Sequence, residues 1–334
     1  MLDAKTKNWS YEDVRSLLAK RKGRDRVPKK FKIVTDTTDF FQVEYNDVLI
    51  LADRPYWIRS YEREGRFGLD DEPKFWVRRA IDLEDGSTKI LKMVFHEEFE
   101  TKIGGVVTKC FRSPKKEGRI LDLVANHRNF MHGHWVIDSA GNNVRIIDYI
   151  PGRQFHEIVV KYGGDHEDYF YNFFPQVLDQ FIELVEAIKF LHDHGEKHGD
   201  IRRDHILYDS ARKVNRWIDF DYNYMHGESK WSFDLLGLGN LIIFFVGRGD
   251  VLVPDLYKTQ RELFDSLWGE DLNISYKNRV ANLQKIYPYI PDSLNRILLH
   301  FSNGAQIFYE NTEQMLGDLA LAKADVSALT GRGS

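Results

Sequence analysis

The chain has 334 residues, of which 43% are hydrophobic and 29% are charged, and this length allows one large domain or two lobes. Its net charge of −4 gives no argument for nucleic acid as a partner, so we expect none. The single cysteine, Cys110, excludes an intrachain disulfide bond and fits a reducing compartment. We expect Cys110 to be a small, buried, apolar side chain.

No segment of the sequence has the pattern of a signal peptide or a membrane span. Residues 1–13 lack the apolar stretch of a secretory signal. The longest apolar run, residues 235–246, is interrupted by glycines and is shorter than the roughly 20 residues that cross a bilayer. We therefore expect a cytoplasmic protein without a membrane span, while its oligomeric state stays open.

The first third of the chain has the pattern of a β-sheet preceded by a short helix. Ser10 and Asp13 have the spacing of a helix cap. Residues 20–30 are mostly basic, which is typical of a solvated linker or of a docking site for an anionic partner. Between residues 31 and 99, β-branched and aromatic residues recur in short runs, and Asp85-Gly86 lies where a hairpin turn is needed.

The period of the apolar residues changes from strand to helix near residue 114. Glu117, Leu121 and Val124 share one face of a helix, and residues 135–150 then have the pattern of a hairpin. Pro151-Gly152 interrupts the chain. Beyond this point apolar stripes predict helices over residues 177–191 and 294–301, and residues 235–246, which are apolar all round, predict a helix buried on every side.

These patterns predict an α+β fold with two lobes, an antiparallel β lobe with one main helix followed by a mostly α lobe. We divide the chain into an N-terminal extension (1–60), a first lobe (61–150), a second lobe (151–325) and a tail (326–334). The strands of the extension would extend the sheet of the first lobe, cover its edge or dock a partner. A cleft between two such lobes is a natural place for a ligand.

Two short segments concentrate the polar residues. Residues 198–207 (HGDIRRDHIL) contain Asp200 and His205 five positions apart, and Asp219 lies in the apolar segment WIDFDY. A partly buried carboxylate such as that of Asp219 is costly unless it is paired or binds a metal. Taken singly, Lys92 would be a solvent-facing lysine of a half-buried strand, and Asp200 a turn or cap residue.

In their order along the chain, these segments resemble the motifs of the protein-kinase superfamily. Residues 198–200 (HGD), followed by His205, are similar to the catalytic loop, and residues 218–221 (IDFD) to the metal-binding Asp-Phe-Gly element. Residues 90–92 (ILK) are similar to the strand that carries the nucleotide-binding lysine. The resemblance covers residues 75–319 and implies a bilobal protein-kinase-like fold.

In the first lobe the resemblance implies residues that bind ATP. Lys92 would hold the α- and β-phosphates, and Glu117 would orient Lys92. Val77, on the strand that precedes Lys92, would also belong to the nucleotide site. Asp148 and Ile150 lie in a segment similar to the hinge that binds adenine through backbone groups.

In the second lobe the resemblance implies the catalytic and metal-binding residues. Asp200 would orient the acceptor hydroxyl and accept its proton, and Arg202 would contact the γ-phosphate. Asp219 and His205 would hold Mg²⁺, with Mn²⁺ possible because an imidazole nitrogen is a poorer ligand for magnesium than oxygen is. The residues that support the catalytic loop would be His198 and Asp234.

Four features depart from the family pattern. His205 stands where the family has asparagine, and Asp221 stands where the family has glycine. Asp221 would be either a carboxylate that supports the metal site or an exposed residue. The glycine-rich loop is degraded, since residues 65–72 contain three acidic side chains that would repel phosphates if they faced them. Fourteen residues separate Asp219 from Asp234, which leaves little chain for holding a peptide.

The sequence leaves two functions open. The first is an active ATP-dependent phosphotransferase that transfers the γ-phosphoryl group to a hydroxyl group, either of a serine or threonine in a protein or of a sugar or small molecule. The second is a pseudokinase that acts as a binding or scaffolding module, which the degraded loop, His205 and Asp221 favour. The first function is favoured because the chain keeps all four charged residues to which the resemblance gives the main roles, Lys92, Glu117, Asp200 and Asp219.

Overall fold

The computed structural model describes residues 8–23, 27–64, 72–103, 106–225 and 230–331. The chain forms two compact units. The β-rich unit contains the residues up to Glu97 together with Ser113–Asn126 and Met131–Ile150, and the helix-rich unit contains Glu98–Arg112, His127–Phe130 and the residues from Pro151 onward. None of the described helices is both long enough and apolar enough to cross a membrane.

The described strands are, in chain order, β1 (Ile33–Val34), β2 (Val48–Leu51), β3 (Arg54–Glu64), β4 (Glu72–Asp82), β5 (Thr88–Lys92), β6 (Glu98–Ile103), β7 (Val106–Arg112), β8 (Gly133–Ile137), β9 (Asn143–Asp148), β10 (Gly152–Gln154), β11 (Ile206–Asp209), β12 (Val214–Trp217) and β13 (Tyr222–Tyr224). The described α-helices are α1 (Tyr11–Lys22), α2 (Pro114–Leu123), α3 (Phe155–Val160), α4 (His166–Asn172), α5 (Phe174–Asp193), α6 (Ser232–Val246), α7 (Val253–Thr259), α8 (Arg261–Ser266), α9 (Asp292–Leu299) and α10 (Thr312–Thr330).

A sheet with the strand order β1-β2-β3-β4-β5-β9-β8 forms the β-rich unit. All neighbouring strands are antiparallel except β1 and β2. The hairpin between β4 and β5 turns at Asp85-Gly86, where Gly86 has a φ of 84° that suits glycine better than other residues. The hairpin predicted at this dipeptide is therefore confirmed.

Helix α1 belongs to the β-rich unit. It begins with a capping box in which the Ser10 hydroxyl accepts the N–H of Asp13 and the Asp13 carboxylate accepts the N–H of Ser10. Its apolar residues Val14 and Leu18 are fully buried in a cluster that includes Trp57. The segment that the sequence indicated as an N-terminal extension thus supplies α1, β1 and β2 to this unit.

Helix α2 begins where the sequence predicts a change from strand to helix. Ser113 caps the helix by accepting the N–H of Lys116 at 3.3 Å, and Pro114 occupies the first turn, where the absence of its N–H has no cost. The helix buries Leu121 and also the charged Glu117. A buried carboxylate on this helix requires cationic partners.

Long helices form the core of the helix-rich unit. The stripe predicted over residues 177–191 lies on α5, and α6 is buried along most of its length. Glycines interrupt the apolar sequence of α6 because neighbours approach its backbone closely. A Cβ atom on Gly239 would overlap the ring of Phe301, and one on Gly237 would lie 2.8 Å from the carbonyl oxygen of Ile201.

Two small sheets complete the described part of the helix-rich unit, with the orders β10-β11-β12 and β13-β7-β6. The second sheet joins distant parts of the sequence, because the β6–β7 hairpin precedes α2 whereas β13 follows Asp219. The sequence patterns predict no element over residues 100–113. The hairpin was missed because its stabilising partner lies about a hundred residues further along the chain.

Candidate active site

In the β-rich unit, Lys92 and Glu117 form a buried ion pair. The Nζ atom of Lys92 lies 2.6 Å from Oε1 of Glu117, and both side chains are almost completely excluded from solvent, with 2% and 0% exposed. The pair joins the end of β5 to the first turn of α2. Lys92 is therefore not the solvent-facing lysine that its strand alone would suggest, and its pairing with Glu117 agrees with the partner that the resemblance implied.

Arg145 is a second cation on Glu117 and was not predicted. Its Nε atom donates to the other carboxylate oxygen, Oε2, at 3.0 Å, and its side chain is 1% exposed. Arg145 lies directly opposite Lys92 in the β5–β9 register, which brings both cations to one carboxylate. An arginine between apolar Val144 and Ile146 fits the alternation of a half-buried strand, so no local signal marked its charge as buried and paired.

In the helix-rich unit, Asp234 anchors the catalytic-loop segment by its backbone. The fully buried carboxylate accepts the N–H groups of His198 and Gly199, each at 2.8 Å, and lies 3.0 Å from Nε2 of His192. Burial alone would raise the pKa of Asp234, but the hydrogen bond and charge of His192, with the charge of His198 and the backbone hydrogen bond from Gly199, outweigh burial and lower the pKa to about 2. Asp234 is therefore ionised at neutral pH and holds the backbone of residues 198–199. His198 is fully buried beside it.

His205 lies between Asp200 and Asp219. Its Nδ1 atom is 2.9 Å from the carbonyl oxygen of Asp200 and 3.5 Å from that residue's carboxylate, and its Nε2 atom is 3.8 Å from Oδ2 of Asp219. The histidine side chain is 4% exposed, whereas those of the two aspartates are about one-fifth exposed. The two partly exposed carboxylates are thus kept on either side of one buried imidazole.

The donors of His205 and Asp219 fit a divalent cation. Because Nδ1 faces a carbonyl oxygen, a neutral His205 carries its proton there and has its lone pair on Nε2. The separation of 3.8 Å between Nε2 and Oδ2 is smaller than the sum of two metal–ligand bonds of about 2.1 Å, so one ion can contact both atoms. Among the described residues, no group of three or more His, Cys, Asp or Glu side chains could hold a metal. The remaining ligands of a cation here would therefore be water molecules or phosphate oxygens of a nucleotide.

Asp221 is buried and paired with Arg112. The Nη1 atom of Arg112 lies 3.0 Å from Oδ1 and 2.9 Å from Oδ2 of Asp221, and both side chains are at most 3% exposed. The alternative of an exposed Asp221 is therefore wrong. Asp221 lies two residues beyond Asp219, and its carboxylate is held by the guanidinium group of Arg112 from the β6–β7 hairpin.

No protein-family model matches the chain. Among solved structures, the kinase PK-1 of Cydia pomonella granulovirus matches with 14% sequence identity and a TM-score of 0.46, and the match covers 78% of this chain and 92% of that one. The PknI kinase domain of Mycobacterium tuberculosis matches with 13% identity and a TM-score of 0.40, over 80% of this chain and 96% of that one.

Curated proteins with detectable sequence similarity are named as kinases. A KIN1 homolog of Encephalitozoon cuniculi, named as a probable serine/threonine-protein kinase, is 25% identical over 205 residues, which are 61% of this chain and 32% of that protein. CBL-interacting protein kinase 3 of Oryza sativa subsp. japonica is 27% identical over 150 residues, 42% of this chain and 31% of that protein. The chain is protein-kinase-like. Its matched part spans about a third of the length of these two relatives.

In a protein-kinase-like site, Arg202 is predicted to contact the γ-phosphate. Its guanidinium group instead forms two hydrogen bonds to Asp204, at 2.6 and 3.0 Å, and lies 4.0 Å from Asp200. Contact with a phosphate would require Arg202 to share or leave Asp204. The phosphate-binding role of Arg202 stays a prediction.

The protein-kinase-like hinge is predicted around Asp148 and Ile150. The N–H of Asp148 donates to the carbonyl of His132 at 2.8 Å, and its carboxylate pairs with Lys89 at 2.6 Å. The N–H of Asp148 is thus already used, and adenine would need other backbone groups, such as those of Ile150. Val77 is buried opposite Lys92 in the β4–β5 register, on the strand predicted to cover the nucleotide.

Several predictions from the sequence fall partly outside the described residues. These parts are residues 65–71 of the degraded glycine-rich loop, residues 226–229 of the segment between Asp219 and Asp234, and residues 24–26 of the basic stretch. Cys110 is within the described part and is buried on β7, as predicted. Burial raises the pKa of its thiol, and the charge of Asp200 acts in the same direction.

Proposed function

We propose that the chain is an ATP-dependent phosphotransferase that transfers the γ-phosphoryl group of ATP to a hydroxyl group. The observation that carries the proposal is the arrangement of Asp200, His205 and Asp219 in the helix-rich unit, where one buried imidazole lies between two partly exposed carboxylates. The carboxylate of Asp200 acts on the acceptor hydroxyl group, and the carboxylate of Asp219 binds the cation. Such a division of roles is what phosphoryl transfer requires, since positioning and charge neutralisation dominate its catalysis.

Asp200 is the base for the acceptor. Its carboxylate is one-fifth exposed, so a hydroxyl group can reach it from solvent. The backbone before Asp200 is held by the N–H groups of His198 and Gly199, which donate to the carboxylate of Asp234. These two hydrogen bonds position Asp200 without involving its own carboxylate. Asp200 orients the hydroxyl group and accepts its proton as the bond to phosphorus forms.

Asp219 and His205 would hold the divalent cation, which is Mg²⁺ or Mn²⁺. A bound cation neutralises the charge of the phosphate oxygens. The hydrogen bond from His205 Nδ1 to the backbone of Asp200 orients the ring so that Nε2 remains directed at Asp219.

In the β-rich unit, Lys92 binds the phosphates of ATP and Glu117 orients it. Glu117 is itself fixed by Arg145, because each carboxylate oxygen has its own cationic partner. The position of the Lys92 ammonium group is therefore determined before ATP binds, which lowers the entropy cost of the interaction.

The acceptor that we favour is the hydroxyl group of a serine or threonine in a protein, because the KIN1 homolog is named as a probable serine/threonine-protein kinase. The fourteen residues between Asp219 and Asp234 leave little chain for peptide binding and favour a sugar or small molecule as the second candidate. The single cysteine fits the reducing cytoplasm, where we place the activity.

The first experiment is calorimetric titration of the purified protein with a non-hydrolysable ATP analogue, in Mg²⁺, in Mn²⁺ and without a divalent cation. We expect metal-dependent binding that Lys92→Met and Asp219→Asn weaken. Lys32→Met is the control for the lysine, since Lys32 lies in the same unit but is 54% exposed and paired with Glu44. Asp265→Asn is the control for the aspartate, since Asp265 forms an exposed pair on α8.

The second experiment follows phosphate transfer from labelled ATP to protein, peptide and sugar acceptors. Transfer that Asp200→Asn removes would support the proposal and identify the acceptor class. If the wild-type protein binds no nucleotide under any metal condition, the phosphotransferase proposal is wrong, and the pseudokinase alternative takes its place.

A further inference from the structure

The β6–β7 hairpin supplies the neighbouring strand for the segment that follows Asp219. Strand β13 pairs antiparallel with β7, with Tyr222 opposite Arg112 and Tyr224 opposite Cys110. The pairing continues beyond the strand, where the N–H of Met225 donates to the carbonyl of Lys109 at 3.0 Å. The hairpin thus holds the backbone of residues 222–225 through regular hydrogen bonds.

Arg112 adds side-chain bonds to the same segment. Its guanidinium group contacts both oxygens of Asp221 and lies 4.1 Å from the centre of the Tyr222 ring. On another side, Lys197 donates to the carbonyl of Tyr224 at 2.8 Å. Charge-assisted bonds between buried groups are the strongest of the hydrogen bonds in proteins, so this segment has few alternative positions.

Asp219 has a backbone conformation that few residues adopt. Its φ is 60°, in the left-handed region, which glycine adopts freely and which aspartate tolerates better than most other residues do. On one side of Asp219, the N–H of Ile218 donates to the carbonyl of His205 at 3.0 Å. On the other side, Phe220 is fully buried, edge-on to Phe130, and is followed directly by the paired Asp221. Asp219 is thus fixed at both ends.

We propose that Arg112 and Asp221 are positioning residues that hold Asp219 in its left-handed conformation, with its carboxylate directed at His205. This proposal rests on the proposed function, because that function requires the Asp219 carboxylate to bind the metal ion that accompanies the nucleotide. In regulated proteins a phosphate group added to a loop can order the loop by pairing with arginine. Here the carboxylate of Asp221 is a permanent anion for Arg112, so this segment is ordered without a modification.

The test compares Arg112→Met and Asp221→Asn with a matched control, Arg216→Met. Arg216 and Asp209 also form a buried pair in the helix-rich unit, with Nε 3.2 Å from Oδ2 and exposed fractions of 5% and 0%. The control breaks an ion pair of similar burial on β12, three residues before Asp219, and so tests whether the loss of any buried pair near this segment has the same effect. Arg112→Lys keeps the positive charge and is the variant to use if Arg112→Met does not fold.

The first readout is amide hydrogen exchange of residues 219–224, which reports the order of the segment without any activity. We expect exchange to accelerate about tenfold or more in Arg112→Met and Asp221→Asn, to a smaller extent in Arg112→Lys, and not in Arg216→Met. The second readout is the metal-dependent affinity for the ATP analogue. It should fall about tenfold in the first two variants, as is typical when a group that orients a metal ligand is removed.

Unchanged exchange at residues 219–224 would overturn the proposal, and so would faster exchange with unchanged metal-dependent affinity. If the wild-type protein binds no nucleotide with either metal, the proposed function fails. In that case the exchange comparison still decides whether the Arg112–Asp221 pair orders the segment. The failure of the proposed function can thus be distinguished from the failure of this inference.

Discussion

The imidazole of His205 directs its Nε2 atom at the carboxylate of Asp219, 3.8 Å away. The orientation is set from the other side of the ring, where Nδ1 bonds to a backbone carbonyl oxygen. A neutral imidazole held in this way presents a nitrogen lone pair to a cation beside a carboxylate. His205, which departs from the family pattern, therefore has the geometry that the proposed ligand role requires.

This relationship predicts the metal preference. Replacing His205 by asparagine exchanges a nitrogen ligand for an oxygen ligand, which suits Mg²⁺ better than the imidazole does. We expect His205→Asn to lower the ratio of nucleotide affinity in Mn²⁺ to that in Mg²⁺ by about tenfold, measured by calorimetry. His300→Asn is the control, since His300 directly follows α9 in the helix-rich unit and contacts Tyr309. An unchanged ratio in His205→Asn would mean that Nε2 does not contact the metal.

The shared carboxylate of Glu117 predicts a large loss of stability when its charge is removed. Glu117→Gln removes the carboxylate that the buried Lys92 and Arg145 share, and breaking a buried pair of this kind costs about 3–5 kcal/mol. Glu44→Gln, which removes the exposed partner of Lys32, should cost less than about 1 kcal/mol. Urea denaturation gives both free energies of unfolding. Equal losses in the two variants would contradict the interpretation of a buried network.

The roles proposed for Asp200 and Asp219 predict different kinetic effects. Asp200→Asn should lower kcat by about 10²–10⁴-fold and leave nucleotide affinity nearly unchanged, because the residue acts on the acceptor hydroxyl. Asp219→Asn should weaken metal-dependent nucleotide binding as well. Single-turnover kinetics and calorimetry separate the two effects. Full activity in Asp200→Asn would show that another group accepts the proton.

The low pKa of Asp234 predicts a dependence of stability on pH. The value falls from 3.8 to about 2 on folding, so ionised Asp234 stabilises the folded state above pH 4, and this contribution is lost as the pH falls through 2. The destabilisation caused by Asp234→Asn should therefore be about 1 kcal/mol larger at pH 5 than at pH 3. Denaturation at the two pH values measures it, with Asp265→Asn as an exposed control. A destabilisation that does not change with pH would contradict the ionised anchor.

Part of this site could be predicted from the sequence because its residues lie in short segments with a fixed order. Lys92, Asp200 and Asp219 each fall in such a segment, and the helix that carries Glu117 has a clear apolar period. The Arg112–Asp221 pair could not be predicted in this way, because it joins residues 109 positions apart and depends on strand pairing. Such pairing leaves no local pattern, since the partner of an edge strand is set by the whole fold.

The missed Arg145 has a different cause. It lies on a central strand, where alternation alone predicts either an apolar core residue or a solvent-facing residue. In the structure Arg145 is neither, because its charge is buried against the carboxylate of Glu117. Similarly, the apolar run over residues 235–246 predicted a buried helix correctly, but not that its glycines allow the approach of Phe301.

The route of the chain limits how the protein can be divided. The helix-rich unit is not a contiguous piece of sequence, because it takes Glu98–Arg112 and His127–Phe130 from the first half of the chain. A fragment that starts at Pro151 would lack the strand that pairs with β13 and the arginine that neutralises Asp221. Cutting between Ile150 and Pro151 would therefore separate this unit from parts of its own core, so the two halves should be produced as one polypeptide or recombined as complementary fragments.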